Sequence, residues 1–164
     1  MPENIPIRER ILRQVATNLE GVTGIGTVRR WDGKGTANVA PLDCFVVEED
    51  ESALEGPNGG IGYTDKHLPL LIAVVLFPDE SSSEADSWTR NRWQARLEEK
   101  IVADPYITEA ITEEKLAIDV SVVSVDGPDL AEGSISAAIR ALVVYRHERT
   151  NPYRLGTLIT VQAE

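Results

Sequence analysis

The sequence is poor in cysteine, histidine, aromatics and positive charge. Cys44 is the single cysteine of 164 residues, so no internal disulfide can form, and a reducing compartment is consistent with that. No apolar run approaches the ~20 residues that span a bilayer. The opening MPENIPIRER lacks the apolar core of a signal peptide, so the expectation is a protein made and kept in a cytoplasm, with no membrane partner. Lys and Arg total 16 against 27 Asp and Glu, a net charge of −11. Phosphate contacts need clustered cations, so this balance argues against specific nucleic-acid binding.

Recognisable catalytic signatures are scarce as well. His67 precedes an apolar run and His147 lies in a basic strand end, and both read as packing or surface residues. A zinc site from Cys44, His67 and His147 is conceivable, but no C-x-x-C or H-x-x-x-H spacing supports it. The glycines at Gly21, Gly24 and Gly26 and at Gly56 to Gly62 are not followed by Lys-Ser/Thr and a helix, so phosphate-cradle fingerprints fail. The acidic run EEDE lacks the D-x-D-x-D-G order of a calcium loop, and no cofactor is expected.

Against these absences stands a clear alternation of elements. With 42% hydrophobic and 26% charged residues, the chain is globular and of single-domain size, 1–164. Ile7, Ile11, Leu12, Val15 and Leu19 share one helical face over 5–20, with Arg8, Glu9, Arg13 and Gln14 elsewhere. TGIGTVRRW and PLDCFVV read as strands around a DGKG turn. Residues 48–66 read as a flexible, acidic, glycine-rich loop, and His67 to Phe77 as a strand buried on both faces. A capping box from Ser81 to Glu84 opens a second helix over about 85–103, its core face taking Trp88, Trp93, Leu97 and Ile101, and Asp104-Pro105 ends it. Leu116 to Val125 and Ile135 to Tyr145 alternate as strands joined by DGPDLAEG, hence antiparallel. The expected fold is α+β: a mixed, mostly antiparallel sheet of about five strands with two helices on one face, and an extension at 155–164.

Charge is unevenly spread. Residues 44–86 carry −9 and 104–133 carry −7, leaving the remainder positive. The last strand, counted from Ser136 to Arg149, would run ~46 Å at ~3.3 Å per residue. A domain this size is only about 40 Å across. The strand must therefore bend, stop early or reach past its own domain. Arg140, Arg146 and Arg149 could then pair with Glu48, Glu49, Asp50 and Glu51 of an adjacent subunit, or else with Asp119 or water.

With these residues in place, the chain resembles the tail terminator proteins of long-tailed bacteriophages, also called tail completion or minor tail proteins. The likeness spans about residues 5–154. It rests on the IRERIL helix, the LPLLIAVVLF strand after an acidic loop, the SSSEADSWTRNRWQARLEEKI helix and the closing ALVVYRHERTNPY strand. In the last, Tyr145, Arg146, Pro152 and Tyr153 form a Tyr-Arg-x-x-x-x-x-Pro-Tyr pattern. The insert EEDESALEGPNGG and the tail LGTLITVQAE depart from the family. The resemblance implies a non-enzymatic subunit of a homohexameric ring at the head-proximal end of the tail tube. Such a ring halts tube polymerisation, joins the connector or neck, and lets DNA pass through its bore. The virion tail, assembled in the host cytoplasm, is then its location, and Tyr153 joins the interface candidates. Neck and head-completion proteins share much of the pattern. From another class, a small ligand-binding or metal-dependent enzyme would have only Cys44, His67 and the acidic loop to work with.

Overall fold

The computed structural model describes residues 4–31, 39–53, 62–77, 81, 86–125 and 135–156. The turn at 32–35, the capping residue Glu84, the centre of the acidic loop at 54–61, the linker 126–133 and the tail 157–164 lie outside the described residues.

The apolar stripe of the first segment winds into α1 (Ile7–Glu20), and all five of its stripe residues are buried. Gln14, placed off that stripe by spacing, is buried too, because it is bonded rather than packed: its Oε1 accepts the Ala110 N–H at 3.0 Å. β1 (Val28–Arg30) and β2 (Cys44–Glu48) follow as a parallel pair. After the two-residue β3 (Ser52–Ala53) comes β4 (Tyr63–Leu76), then α2 (Asp86–Val102), β5 (Asp119–Ser124), β6 (Ile135–Glu148) and β7 (Asn151–Leu155). The sheet runs β1-β2-β4-β6-β5, with β3 flanking β4 and β7 flanking β6. All pairs but β1–β2 are antiparallel. This is the α+β fold the sequence predicts, its five-strand path extended by two short flanking strands.

Two expectations need correction. The over-long last strand neither stops early nor reaches past its domain, since β4 pairs with it residue for residue from Tyr63↔Glu148 to Leu76↔Ile135. The sequence concealed that partner. Tyr63 to Lys66, polar and preceded by glycines, read as loop, yet they form the first turn-out of a 14-residue strand. At its other end the acidic segment is likewise strand, as the end of β2 and as β3. Cross-strand pairing, not apolar periodicity, orders these residues.

The second correction is Trp88. Trp93, Leu97 and Ile101 are buried at four-residue steps, while Trp88 is 55% exposed. Five residues place it about 140° around the helix from Trp93, off the core face. Gln94 is buried beside Trp93 and donates to the Ala138 carbonyl at 3.2 Å, on β6 beyond the last β5 partner at Arg140. The helix ends as predicted. Asp104 leaves it and accepts the N–H groups of Tyr106 at 3.1 Å and Thr108 at 2.6 Å.

Both helices cover one face of the sheet. Ile11, Val15, Leu97 and Ile101 share a cluster with Val46, Leu68, Leu70, Ile72, Ile139 and Val143. At roughly 25 cal/mol per Å² of apolar area removed from water, this layer dominates the stability of the domain. Leu71, Ala73 and Ala138, with Val47, form a smaller cluster on the opposite face.

Candidate functional site

The acidic stretch and the basic strand end do meet, but within one chain. Strand pairing sets Asp65 directly opposite Arg146, and the guanidinium grips that carboxylate through two bonds of 2.5 and 2.9 Å. Hydrogen bonding to Asp65 raises the Arg146 pKa, so this cation is permanent. Arg140 Nε donates to Glu49 Oε1 at 3.1 Å, across β4 from the end of β2. Within the subunit Arg140 thus meets Glu49, one of its expected acids, while Arg146 meets Asp65, which was not among them and which the long β4 brings alongside.

The other loop acids are engaged as well. Arg8 donates to Glu48 at 2.9 and 3.1 Å and lies 3.4 Å from Glu51, while Arg30 bonds Glu48 and, at 2.6 Å, Glu9. Glu51 also accepts the hydroxyl of buried Tyr145 at 2.6 Å and approaches Lys66 at 3.5 Å. Burial, then that hydrogen bond, pushes the Tyr145 pKa up, so its phenol stays a donor. Each partly exposed pair contributes about 0.2–1 kcal/mol. Together they brace α1 and β3 against the long β4–β6 pair. Asp50 and Arg149 remain at the surface; the Arg149 N–H donates to the Gly62 carbonyl at 2.8 Å. Tyr153, on β7, is 43% exposed.

Cys44, His67 and His147, the groups named for a metal or enzyme reading, are not brought together. Cys44 pairs with Val74 and His67 with Val144, so seven β4 positions, or about 23 Å, separate thiol and imidazole. His147 lies further along still, opposite Thr64, and its Nδ1 contacts the Glu148 carbonyl at 2.7 Å. Burial, with a smaller contribution from Asp43, pushes the Cys44 thiol up to about 12. A thiol so held is protonated and unreactive near neutrality. Among the described residues no group of three or more His, Cys, Asp or Glu is placed to hold a metal ion.

Sequence reasoning missed two polar centres. Asp43, almost fully buried, accepts the N–H groups of Thr27 at 3.1 Å and Ala40 at 3.0 Å and lies 3.5 Å from Arg29, tying the entry of β2 to β1. A carboxylate wedged between Leu42 and the apolar β2 was its available signal. The second is Arg10, whose guanidinium bonds Glu109 at 2.6 and 3.0 Å and Glu114 as well. Ninety-nine residues separate Arg10 from Glu109, and no local pattern links them. Arg10, Glu109 and Glu114 line an open cleft of about 360 Å³ together with Asn4, Thr112, Ile5, Ile111 and Tyr153.

Large apolar side chains stand exposed at both ends of the long β4–β6 pair, and Trp31, Val102, Tyr106 and Val123 are exposed elsewhere. Phe77 and Val125 lie beyond Leu76 and Ser124, toward the start of β6, and Trp88 begins the helix that runs from there. Ile111 and Tyr153 lie at the opposite end, where β7 flanks the close of β6. No protein-family model matches the chain, and no curated protein matches it in sequence.

Proposed function

We propose that the protein is a structural subunit of a phage virion: a tail terminator that closes into a homohexameric ring on the head-proximal end of the tail tube. The ring stops tube growth and offers the connector its joining surface. What carries this reading is the spread of exposed apolar side chains over separate parts of the subunit: Phe77, Trp88 and Val125 toward one end, Ile111 and Tyr153 at the other, and Trp31, Val102, Tyr106 and Val123 elsewhere. A closed ring is built from a heterologous contact, which requires two different surfaces on every subunit. The resemblance over residues 5–154 and the α+β fold support the same reading. The acidic net charge suits a bore through which DNA slides without being held.

The interface assignment shifts with the geometry. Arg140, Arg146 and the carboxylates of Glu48, Glu49 and Glu51 brace the subunit itself, and the contacts between copies are drawn from the exposed apolar side chains. The test is tube elongation in vitro, with purified tube subunits and the chain added in substoichiometric amount. Tubes that stop growing and carry one ring at an end support the reading. Unaltered elongation contradicts it, and a ring that binds the connector alone would make the protein a neck component.

A further inference from the structure

We propose that the segment after Gly156, residues 157–164 (TLITVQAE), adds as a strand to the outer edge of β5 of a second copy. This rests on the ring reading and names a contact that links the copies.

The subunit's own sheet gives this segment no place to continue. β4 takes one side of β6 along its whole length, so β7 and β5 share the other side, end to end. The last bond of β7 runs from the Gly156 N–H to the Arg146 carbonyl at 3.1 Å. In an antiparallel ladder the next acceptor on β6 stands two residues on, at Val144. That carbonyl already accepts the Ile118 N–H at 2.7 Å, where the chain enters β5. The way round to the outer edge of the same β5 is flanked by the turn at 106–117, whose Ala117 N–H reaches the Tyr106 carbonyl at 2.8 Å and whose Ile111 and Thr112 line a cleft with Tyr153 of β7. A strand arriving from another copy does not have to pass that turn.

β5 ends the sheet path and, among the described residues, pairs with β6 alone. Such an edge presents a row of backbone donors and acceptors that a strand from another chain satisfies. Val120 and Val122 belong to the helix-side core, while Val123 is 57% exposed. The only charge on β5 is Asp119 at its start, and a register shift between Val122 and Ser124 marks its far end. The other sheet edge, β1, is three residues long, and its arginines are engaged by Asp43, Glu9 and Glu48. On the donor side, TLITVQ at 157–162 has no charge, proline or glycine, and four of its six residues, Thr157, Ile159, Thr160 and Val161, are β-branched, the side chains that suit a pleated strand. Six extended residues span ~20 Å at ~3.3 Å each, the length of the six-residue β5. An uncharged strand meets no repulsion from Asp119. Each copy then gives one strand and receives one at a different place, which is a heterologous contact of the kind that closes rings.

Ile159→Pro in the full-length chain tests this, because it removes a ladder donor from the added strand and touches none of the contacts described above. Light scattering, with tube subunits present if the parent requires them, should show association weakened about tenfold or more. Ile159→Val, which keeps the strand, should assemble as the parent does. Hydrogen exchange gives a second readout: amides of β5 should be slow in the assembled parent, and faster both in the parent diluted to monomer and in Ile159→Pro. Rings that Ile159→Pro forms at the parent's concentrations, or β5 amides equally protected in monomer and ring, would overturn the strand addition and leave the ring reading standing. A parent that never assembles overturns both.

Discussion

Glu109 reports on its bond with Arg10 through its protonation. Its hydrogen bond from Arg10 outweighs burial and holds the carboxyl below its ordinary 4.5. The unfolded chain therefore takes up this proton first as pH falls. Between the lowered value and 4.5 it carries more protons than the folded chain, so stability falls with falling pH in that window. The contribution is complete above about 4.5 and is lost as pH drops through the folded pKa. Glu109→Gln should flatten this acid limb, measured as denaturant midpoints between about pH 7 and about pH 3. An unchanged slope would mean that Arg10 gains nothing from this carboxylate. Asp43 makes a related point, since a single buried carboxylate caps two backbone donors that no strand reaches.

At the scale of elements, β6 and β7 show how much a strand end owes to one small residue. The Gly156 N–H reaches the Arg146 carbonyl at 3.1 Å, and a Cβ built there would stand 2.7 Å from both Arg146 Cδ and Tyr63 Cδ1. Gly156→Ala should push β7 away, costing about 1–3 kcal/mol. Amide exchange over Asn151–Leu155 should quicken while α1 keeps its protection. Equal protection in both chains would show that β7 tolerates the methyl. These contacts also mark the limit of legibility. α1, α2 and the β5–β6 pair were readable because one face of each is apolar at a fixed period, and β2 and the apolar half of β4 because each is a short continuous apolar run. Tyr63 to Lys66 were not, because their order comes from β6, some eighty residues away. Trp88 was misread for a different reason. Its residue type signals burial, while its angular position decides otherwise.

For the whole molecule, the uneven charge of the sequence turns out to be largely an internal matter: acids of 48–65 meet arginines of α1, β1 and β6. Among the described residues, nine large apolar side chains also stand exposed, and they are spread over several parts of the subunit. The candidate site was legible only in part, since Tyr153 was named in advance but Ile111, Arg10 and Glu109 come together through folding alone. The most direct measurement is the mass distribution of the chain in solution, alone and mixed with tube subunits, by mass photometry across a dilution series. The account predicts a closed hexamer in at least one of the two conditions, with no population beyond it. Monomers in both, or a two-fold dimer that grows no further, would contradict it.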